Sequence, residues 1–237
     1  GRGAGGWGAA ESTAASEGEK RQREDTASYR RAGDGTYYNR ASGFETVTAD
    51  VSAGSPANGA DVAYLYDSAG DDAFDASPST ATMDRPAADS VATGFDSVYA
   101  FATTDAGGGD AATLTGSAGV DYFRSNEMRS SLRASDWSYY NHASGFDSVT
   151  ADVSAGSPAN GDDVAYLYDS AGDDTLNATP TTVTMDRPAS DSVAAGFHQV
   201  YATATTDAGG GDSATLLGST GIDYFIGRET YGYLQAA

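Results

Sequence analysis

The sequence predicts an all-β protein and favours a parallel β-solenoid of four three-sided coils of about 51 residues. A Gly-Phe-acid-x-Val segment begins at Gly43, Gly94, Gly145 and Gly196, with a constant step of 51 residues, and His198 replaces the acid in the last copy. A Gly-x-acid turn precedes each predicted strand, after which apolar and polar residues alternate, as in half-buried strands. A sequence that repeats at a fixed step indicates a repeat architecture.

The repeat is sharper at twice that step. Val47–Asp72 matches Val149–Asp174 over 26 residues, and the one difference is Ala60 against Asp162. Residues that recur at a fixed step usually have a structural role in the repeated unit. A motif present two or four times is therefore weak evidence for a single catalytic centre.

The repeat domain is predicted to span residues 34–237. Its four units lie near 34–83, 84–135, 136–185 and 186–237. Residues 1–33 are rich in Gly and Ala and then highly charged, a composition typical of a disordered or loosely helical arm. The alternative is a degenerate first repeat, because Asp34–Ala41 matches Asp136–Ala143 at a step of 102.

Each unit is predicted to hold three strands. In the first unit the Gly-x-acid turns begin at Gly43, Gly59 and Gly70. The alternation predicts these inward-facing residues: Val47, Ala49, Val51, Ala63, Leu65, Phe74 and Ala76, then Val98, Ala100, Ala102, Ala112, Leu114 and Phe123, then Val149, Ala151, Val153, Ala165, Leu167 and Leu176, and finally Val200, Ala202, Ala204, Ala214, Leu216 and Phe225. Only Glu127–Leu132 has the pattern of a short helical turn.

Two architectures fit this pattern. In a solenoid each unit is one three-sided coil, and the coils stack about 4.8 Å apart. In a four-bladed β-propeller, the alternative, each unit is one antiparallel sheet. The turn before every strand and the small inward alanines favour the solenoid, in which Ala49, Ala100, Ala151 and Ala202 would form one column.

The composition is strongly acidic. The chain of 237 residues has 34 acids and 13 bases, a net charge of −21, and of the bases only Lys20 is a lysine. This balance disfavours nucleic acid as a partner, because phosphate binding needs clustered Lys and Arg. It favours high solubility, divalent cations, or a salty medium that screens the self-repulsion.

Other function classes are excluded by residue content. The chain has no cysteine, so disulfides, thiolate metal sites and a cysteine nucleophile are excluded. No apolar run reaches the roughly 18 residues of a membrane span, so membrane insertion is not expected. Because the chain begins with Gly, we expect a processed or excised piece of a longer protein.

Two segments carry a resemblance to known proteins. Tyr66–Phe74 (YDSAGDDAF) and Tyr168–Leu176 (YDSAGDDTL) resemble the YDSAGDDxF signature of long secreted repeat proteins of marine bacteria, planctomycetes especially. The Gly-x-Asp-x-apolar turn is half of the nonapeptide of calcium-binding β-rolls, although the full double-glycine nonapeptide never occurs in tandem. The resemblance covers about 34–237 and implies an extracellular or cell-surface repeat protein.

The acids are candidate calcium ligands. Stacked coils would bring Asp61, Asp110, Asp163 and Asp212 into one column, Asp72, Asp121, Asp174 and Asp223 into a second, and Glu45, Asp96 and Asp147 into a third. Like charges one coil apart repel, and Ca²⁺, which takes six to eight oxygens, would offset the repulsion. The alternative is that each Asp accepts hydrogen bonds from its own turn. The richest candidate pairs are Asp67 with Asp72 and Asp169 with Asp174.

The second strand of each odd unit carries outward tyrosines. Tyr64 and Tyr66 recur as Tyr166 and Tyr168, and such ridges suit sugar rings or a protein partner. The alternative is that the loop Ser52–Asn58 covers them.

Candidate catalytic residues are few. His142 and His198 occupy non-equivalent positions. Arg85 and Arg187 could serve a polysaccharide lyase, but their duplication favours a structural turn.

The sequence therefore favours a structural or adhesive extracellular module that associates with itself. For its acids, calcium and hydrogen-bonded turns stay open as alternatives. Its expected partners are other copies of itself or cell-surface polysaccharide. A carbohydrate-binding module is the first alternative, and a lyase is the second.

Overall fold

The computed structural model describes residues 27–31, 38–52, 61–103, 109–155, 162–204, 211–228 and 231–236. These residues form an all-β structure in which no helix occurs within the described ranges. The 21 strands are β1 Ala27–Arg31, β2 Tyr38–Ser42, β3 Thr46–Asp50, β4 Val62–Tyr66, β5 Ala73–Ala76, β6 Thr80–Asp84, β7 Asp89–Thr93, β8 Ser97–Phe101, β9 Ala111–Thr115, β10 Asp121–Asn126, β11 Arg129–Ala134, β12 Tyr140–Ser144, β13 Ser148–Asp152, β14 Val164–Tyr168, β15 Thr175–Ala178, β16 Thr182–Asp186, β17 Asp191–Ala195, β18 Gln199–Thr203, β19 Ser213–Leu216, β20 Asp223–Gly227 and β21 Gly232–Ala236.

The chain divides into two compact units, residues 1–44 and 45–237. In the first unit, β1 and β2 form an antiparallel pair with Ala27 opposite Ser42. The inner pair of β11 and β12 places Arg129 opposite Ser144, which is the same register moved by 102 residues. The strand pairing of the repeat is therefore present from residue 27.

The second unit is built on two long mixed sheets. The ten-stranded sheet has the order β19-β15-β16-β17-β13-β9-β5-β6-β7-β3, and the seven-stranded sheet has the order β18-β14-β10-β11-β12-β8-β4. A further hairpin joins β20 to β21. The ten-stranded sheet contains two three-stranded antiparallel meanders, the seven-stranded sheet contains one, and the strands that flank each meander are parallel to their neighbours.

The chain changes sheets after each parallel strand or meander. It runs from β3 to β4 on the other sheet, returns for the meander β5–β7, and crosses again to β8. A step of 51 residues contains an odd number of such crossings and lands on the opposite sheet, whereas a step of 102 returns to the same sheet. This explains why the sequence repeat is sharper at 102.

The predicted alanine column is wrong for the same reason. Ala49 and Ala151 lie on the ten-stranded sheet, and Ala100 lies on the seven-stranded sheet. Ala49 pairs with Ala92, and Ala151 pairs with Leu114 and Ala194. Inward small residues do stack between neighbouring strands, but they are not the ones 51 residues apart.

The core lies between the two long sheets. Phe74 and Leu114 come from the ten-stranded sheet, and Phe123 and Leu167 come from the seven-stranded sheet, all in one cluster of buried residues. The alternation predicted most of this set. The terminal residues Ala202, Ala214 and Phe225 are exposed, because no further strand covers them within the described residues.

Each 51-residue unit holds five strands rather than the three predicted. The additional strands in the first unit are β2 and β6, and Ala81 and Met83 on β6 are fully buried. The predicted helical turn is also wrong, because β11 occupies Arg129–Ala134 and Leu132 faces the core. The antiparallel meanders explain the difference, since their second and third strands lack a Gly-x-acid turn.

Candidate functional site

The predicted calcium ligands lie at the ends of strands. Asp61, Asp72, Asp110, Asp163, Asp174 and Asp212 directly precede β4, β5, β9, β14, β15 and β19, Asp121 and Asp223 begin β10 and β20, and Asp67 and Asp169 directly follow β4 and β14. Most of these side chains are buried, which is unusual for carboxylates and requires hydrogen-bond partners.

One set of partners comes from a serine four residues earlier. The Ser68 N–H donates to Asp72 Oδ2 at 2.9 Å, and its hydroxyl donates to Oδ1 at 3.1 Å. Ser117 with Asp121, Ser170 with Asp174 and Ser219 with Asp223 repeat this device. Each aspartate thus closes its own turn, as the alternative to calcium predicted.

A second set of partners crosses between strands. The Asp72 N–H donates to Asp110 Oδ1 at 2.8 Å, and the Asp110 N–H donates to Asp147 Oδ2 at 3.0 Å. The Asp121 N–H donates to Asp163 Oδ1 at 2.7 Å. Such charge-assisted hydrogen bonds offset the repulsion between neighbouring carboxylates.

The three predicted acid columns are therefore wrong. Asp72, Asp110 and Asp147 were assigned to three separate columns, yet they form one line along the starts of the neighbouring strands β5, β9 and β13 of the ten-stranded sheet. Asp61 and Asp110, predicted to share a column, lie on different sheets. The cause is again the exchange of sheets at each step of 51.

Burial perturbs two of these carboxyls. Desolvation raises the pKa of Asp72, and the hydrogen bonds from Ser68 act in the opposite direction. Desolvation likewise raises the pKa of Asp121, which also accepts a hydrogen bond from the Tyr139 hydroxyl at 2.7 Å. Burial and the Asp121 carboxylate raise the pKa of Tyr139. Sequence reasoning missed Tyr139, because only the pairing of strands in the meander β10–β12 brings its hydroxyl to Asp121.

The described acids do not gather into a metal site made of side chains alone. Within the described ranges, no group of three or more His, Cys, Asp or Glu side chains is placed to hold a metal ion.

The predicted tyrosines lie on the outer surface of the seven-stranded sheet. Tyr64 and Tyr66 on β4 are 59% and 56% exposed, and Tyr166 on β14 is also exposed. Tyr168 is half-buried. Within the predicted covering loop, only Ser52 belongs to the described residues.

Further aromatic residues extend this surface. Tyr64 stacks on Tyr99 with ring centroids 5.4 Å apart, and Tyr166 stacks on Tyr201 at 5.5 Å. Trp137, exposed beside β12, stacks on Tyr140 at 6.3 Å. We call the outer surface of the seven-stranded sheet the aromatic face; its described aromatic residues are Tyr64, Tyr66, Tyr99, Phe101, Tyr122, Trp137, Tyr140, Tyr166, Tyr168 and Tyr201.

Arginines interrupt the aromatic face at its centre. The Arg133 guanidinium lies 4.8 Å from the Tyr122 ring centroid and 4.1 Å from that of Trp137, and Arg124 lies 4.9 Å from that of Tyr168. Arg129 is exposed on β11. Three of the six arginines after residue 41 thus fall on one face of an acidic chain. Sequence reasoning missed them, although their spacing within 124–133 was visible.

The outer surface of the ten-stranded sheet has a different chemistry. Its central row of strand partners contains Thr48, Thr82, Thr113, Thr150, Thr184 and Thr215. We call this surface the threonine face. The odd and even units of the sequence differ in their outward residues because they supply different faces.

The duplicated arginines have structural contacts. Arg85 donates to the carbonyls of Ala88 and Tyr66 and to the Ser90 hydroxyl. Arg187 is buried and donates to Tyr168 O at 2.7 Å. These bonds fix the turn between the second and third strands of the meanders β5–β7 and β15–β17, which favours the structural interpretation over a lyase.

The two histidines lie in different surroundings, and His142 Nδ1 lies 3.3 Å from the Tyr140 hydroxyl oxygen. Burial and nearby Arg129 lower the pKa of His142, and its ring lies beside those of Tyr99 and Tyr140. His198 lies in the turn before β18. Among the described residues, no helix is long and apolar enough to span a membrane.

Comparisons with known proteins give no relative. No protein-family model, no curated protein and no solved structure matches this chain.

Proposed function

We propose that the chain is a structural and adhesive repeat module of the extracellular space or cell surface, and that it associates with copies of itself. The observation that carries the proposal is that most strands of the described chain belong to one of two long sheets. The duplicated polar residues, including Arg85 and Arg187, support backbone geometry.

A flattened β-solenoid is the architecture that we propose. Parallel neighbours such as β5 and β9, or β10 and β14, recur along both sheets, and the strand register repeats with a step of 102. A sheet that grows by the same increment in each period suits a rigid, extended module. The resemblance of Tyr66–Phe74 to secreted repeat proteins supports the extracellular location.

Self-association is tested by sedimentation of the full chain over a range of concentration and salt. We expect the average mass to rise above that of one chain as sodium chloride screens the net charge of −21. A single-chain mass at every concentration and salt level would contradict the proposal.

Carbohydrate binding is a second candidate, favoured by the aromatic face. Exposed aromatic rings can stack on sugar rings, and the arginines beside them can bind carboxylate or sulfate groups. The expected ligand is therefore an acidic cell-surface polysaccharide rather than a neutral one.

This candidate predicts loss of binding when the face is changed. Replacing Tyr64 and Tyr166 together by Ala should reduce retention on an immobilised uronate polymer at least tenfold. The matched control replaces Thr113 and Thr150 by Ala on the threonine face and should retain binding. Equal retention of all three proteins, or none for the wild type on neutral, uronate and sulfated polymers, would remove this candidate.

Calcium is also retained as a proposal, from the buried carboxylates at the strand ends, such as those of Asp72 and Asp174. An ion that binds only the folded chain stabilises it by about 2.7 kcal/mol at a hundredfold excess over Kd. Chelation with EDTA at low salt should then lower the melting temperature by several degrees, and replacement of Asp72 and Asp174 by Asn should abolish that response. The exposed Asp136→Asn variant is the control. A melting curve unchanged by EDTA would leave the hydrogen-bonded turns as the full account.

A further inference from the structure

The ten-stranded sheet has two edges with different sequences. Among the described residues, β3 pairs only with β7, and β19 pairs only with β15. The two edges are separated by nine strand spacings, about 43 Å at 4.8 Å each. One chain therefore cannot join its own edges, but two chains can.

A pair of strands inside the sheet shows how the two edges could pair between chains; we call that contact between two chains the joint, and the inner pair its template. The strands β9 and β13 pair in parallel, with Thr113 opposite Thr150. A step of 102 converts β9 into β19 and β13 into β3. The sequence AATL becomes SATL, and SVTAD becomes TVTAD, so nearly every side chain of the template is reproduced at the two edges.

At both edges, backbone N–H groups are directed away from the sheet, as pairing with another strand requires. The Ser213 N–H donates to Asp174 O, and the Leu217 N–H donates to Ala178 O, both towards β15. Because alternate residues of a parallel strand bond to opposite sides, Ala214 and Leu216 direct their N–H groups to the other side of β19. After β3, the Val51 N–H donates to Thr93 O, towards β7. By the same alternation, the backbone N–H of Thr48 is directed to the side of β3 away from β7.

Both ends also expose side chains that the inner repeat buries. Phe225 is 65% exposed, whereas its equivalent Phe123 is 0% exposed. At the other end, Ala49 on β3 is only half-buried, whereas its equivalent Ala151 is 0% exposed. These side chains are apolar, like those of the core, yet solvent reaches them. Exposed apolar side chains grouped in this way mark an interaction site.

The seven-stranded sheet indicates the same relation. Its β10 pairs in parallel with β14, with Phe123 opposite Ala165. The corresponding strands one period away are β20 and β4, which are both in the second unit. Pairing β20 with β4 of another copy would place Phe225 opposite Ala63, which covers the exposed ring.

We propose that chains associate head to tail, with β19 of one copy pairing in parallel with β3 of a second copy and Thr215 lying opposite Thr48. The inference rests on the proposed self-association and adds its direction and register. The two surfaces are different, so the contact is heterologous and does not close at two chains. It continues both the aromatic face and the threonine face from one copy to the next.

Cysteine pairing tests the register, because the natural chain has no cysteine. Thr48→Cys and Thr215→Cys are prepared as separate full-length proteins, one with an affinity tag, then mixed and mildly oxidised. Directly opposite residues on parallel strands are about 4.8 Å apart, within the 4.4–6.8 Å that a disulfide spans. We expect a cross-linked dimer of one chain of each kind and little cross-linking in either protein alone.

The matched control moves one cysteine by two residues along β3. In Thr46→Cys mixed with Thr215→Cys, the separation becomes about 8 Å, which a disulfide does not span, so at least a tenfold lower yield is expected. Equal yields for Thr46→Cys and Thr48→Cys, or preferential pairing of Thr48→Cys with itself, would overturn the register even if sedimentation shows assembly. No assembly in either assay would overturn the proposed self-association as well, and would indicate that another segment of the chain covers the edges.

Discussion

Replacing Phe123 by Ala should lower the free energy of unfolding by about 3–5 kcal/mol, the usual cost of removing a buried phenylalanine ring. Phe123 is fully buried between the two long sheets, and its ring lies 6.0 Å from that of Phe197. Urea unfolding at low protein concentration, where chains are separate, measures the change.

The control for Phe123 is built into the repeat. Phe225 occupies the same position one period later but is exposed, so Phe225→Ala should change the free energy of unfolding by less than about 0.5 kcal/mol. The same variant should weaken assembly at high concentration, since the joint would cover this ring. Equal destabilisation by the two variants would contradict the core described here.

Replacing Gly145 by Ala should lower the free energy of unfolding by about 2–5 kcal/mol. The residue has φ +84°, a left-handed conformation that costs a non-glycine residue about 1–2 kcal/mol. A Cβ atom there would also overlap the carbonyl oxygen of Ala102, so the backbone must move, at a further cost of about 1–3 kcal/mol.

Gly43 separates these two contributions. It lies one period earlier at φ +75°, and no atom of the described residues lies within 4 Å of the position of its Cβ. Gly43→Ala should therefore show only the conformational cost of about 1–2 kcal/mol. Thermal unfolding of both variants measures the difference, and equal costs would show that the contact with Ala102 relaxes freely.

The alternation within strands could be read from the sequence. Leu65, Phe74 and Leu114 were predicted to face inward and are buried, because period-two alternation is a local property of a strand with one covered face. The outward tyrosines of β4 and β14 were predicted for the same reason. The all-β class follows from these elements and from the lack of helical periodicity.

The assignment of strands to sheets could not be read in this way. Val47 and Val98 have the same local pattern, yet they lie on different sheets, because the turn that follows each strand decides where the chain goes next. The meanders added strands such as β6, whose Ala81 and Met83 alternate correctly but follow no Gly-x-acid turn.

The sequence predicted which residue types form the candidate site better than it predicted which of them lie together. The sequence identified Asp72 and Asp121 and the alternative of hydrogen-bonded turns, but their neighbours across strands depend on the sheet order. The aromatic face required that order too. Tyr64 meets Tyr99 only because β4 pairs with β8, and these residues are 35 positions apart in the chain.

The exchange of sheets at every step of 51 limits how this array can change in length. Deleting one unit would carry every later strand to the opposite sheet, so that tyrosines and arginines would emerge among threonines and the reverse. Deleting two units would leave both surfaces intact. The pair of units, 102 residues long, is therefore the smallest increment by which the protein can be shortened or extended while each side keeps its own chemistry.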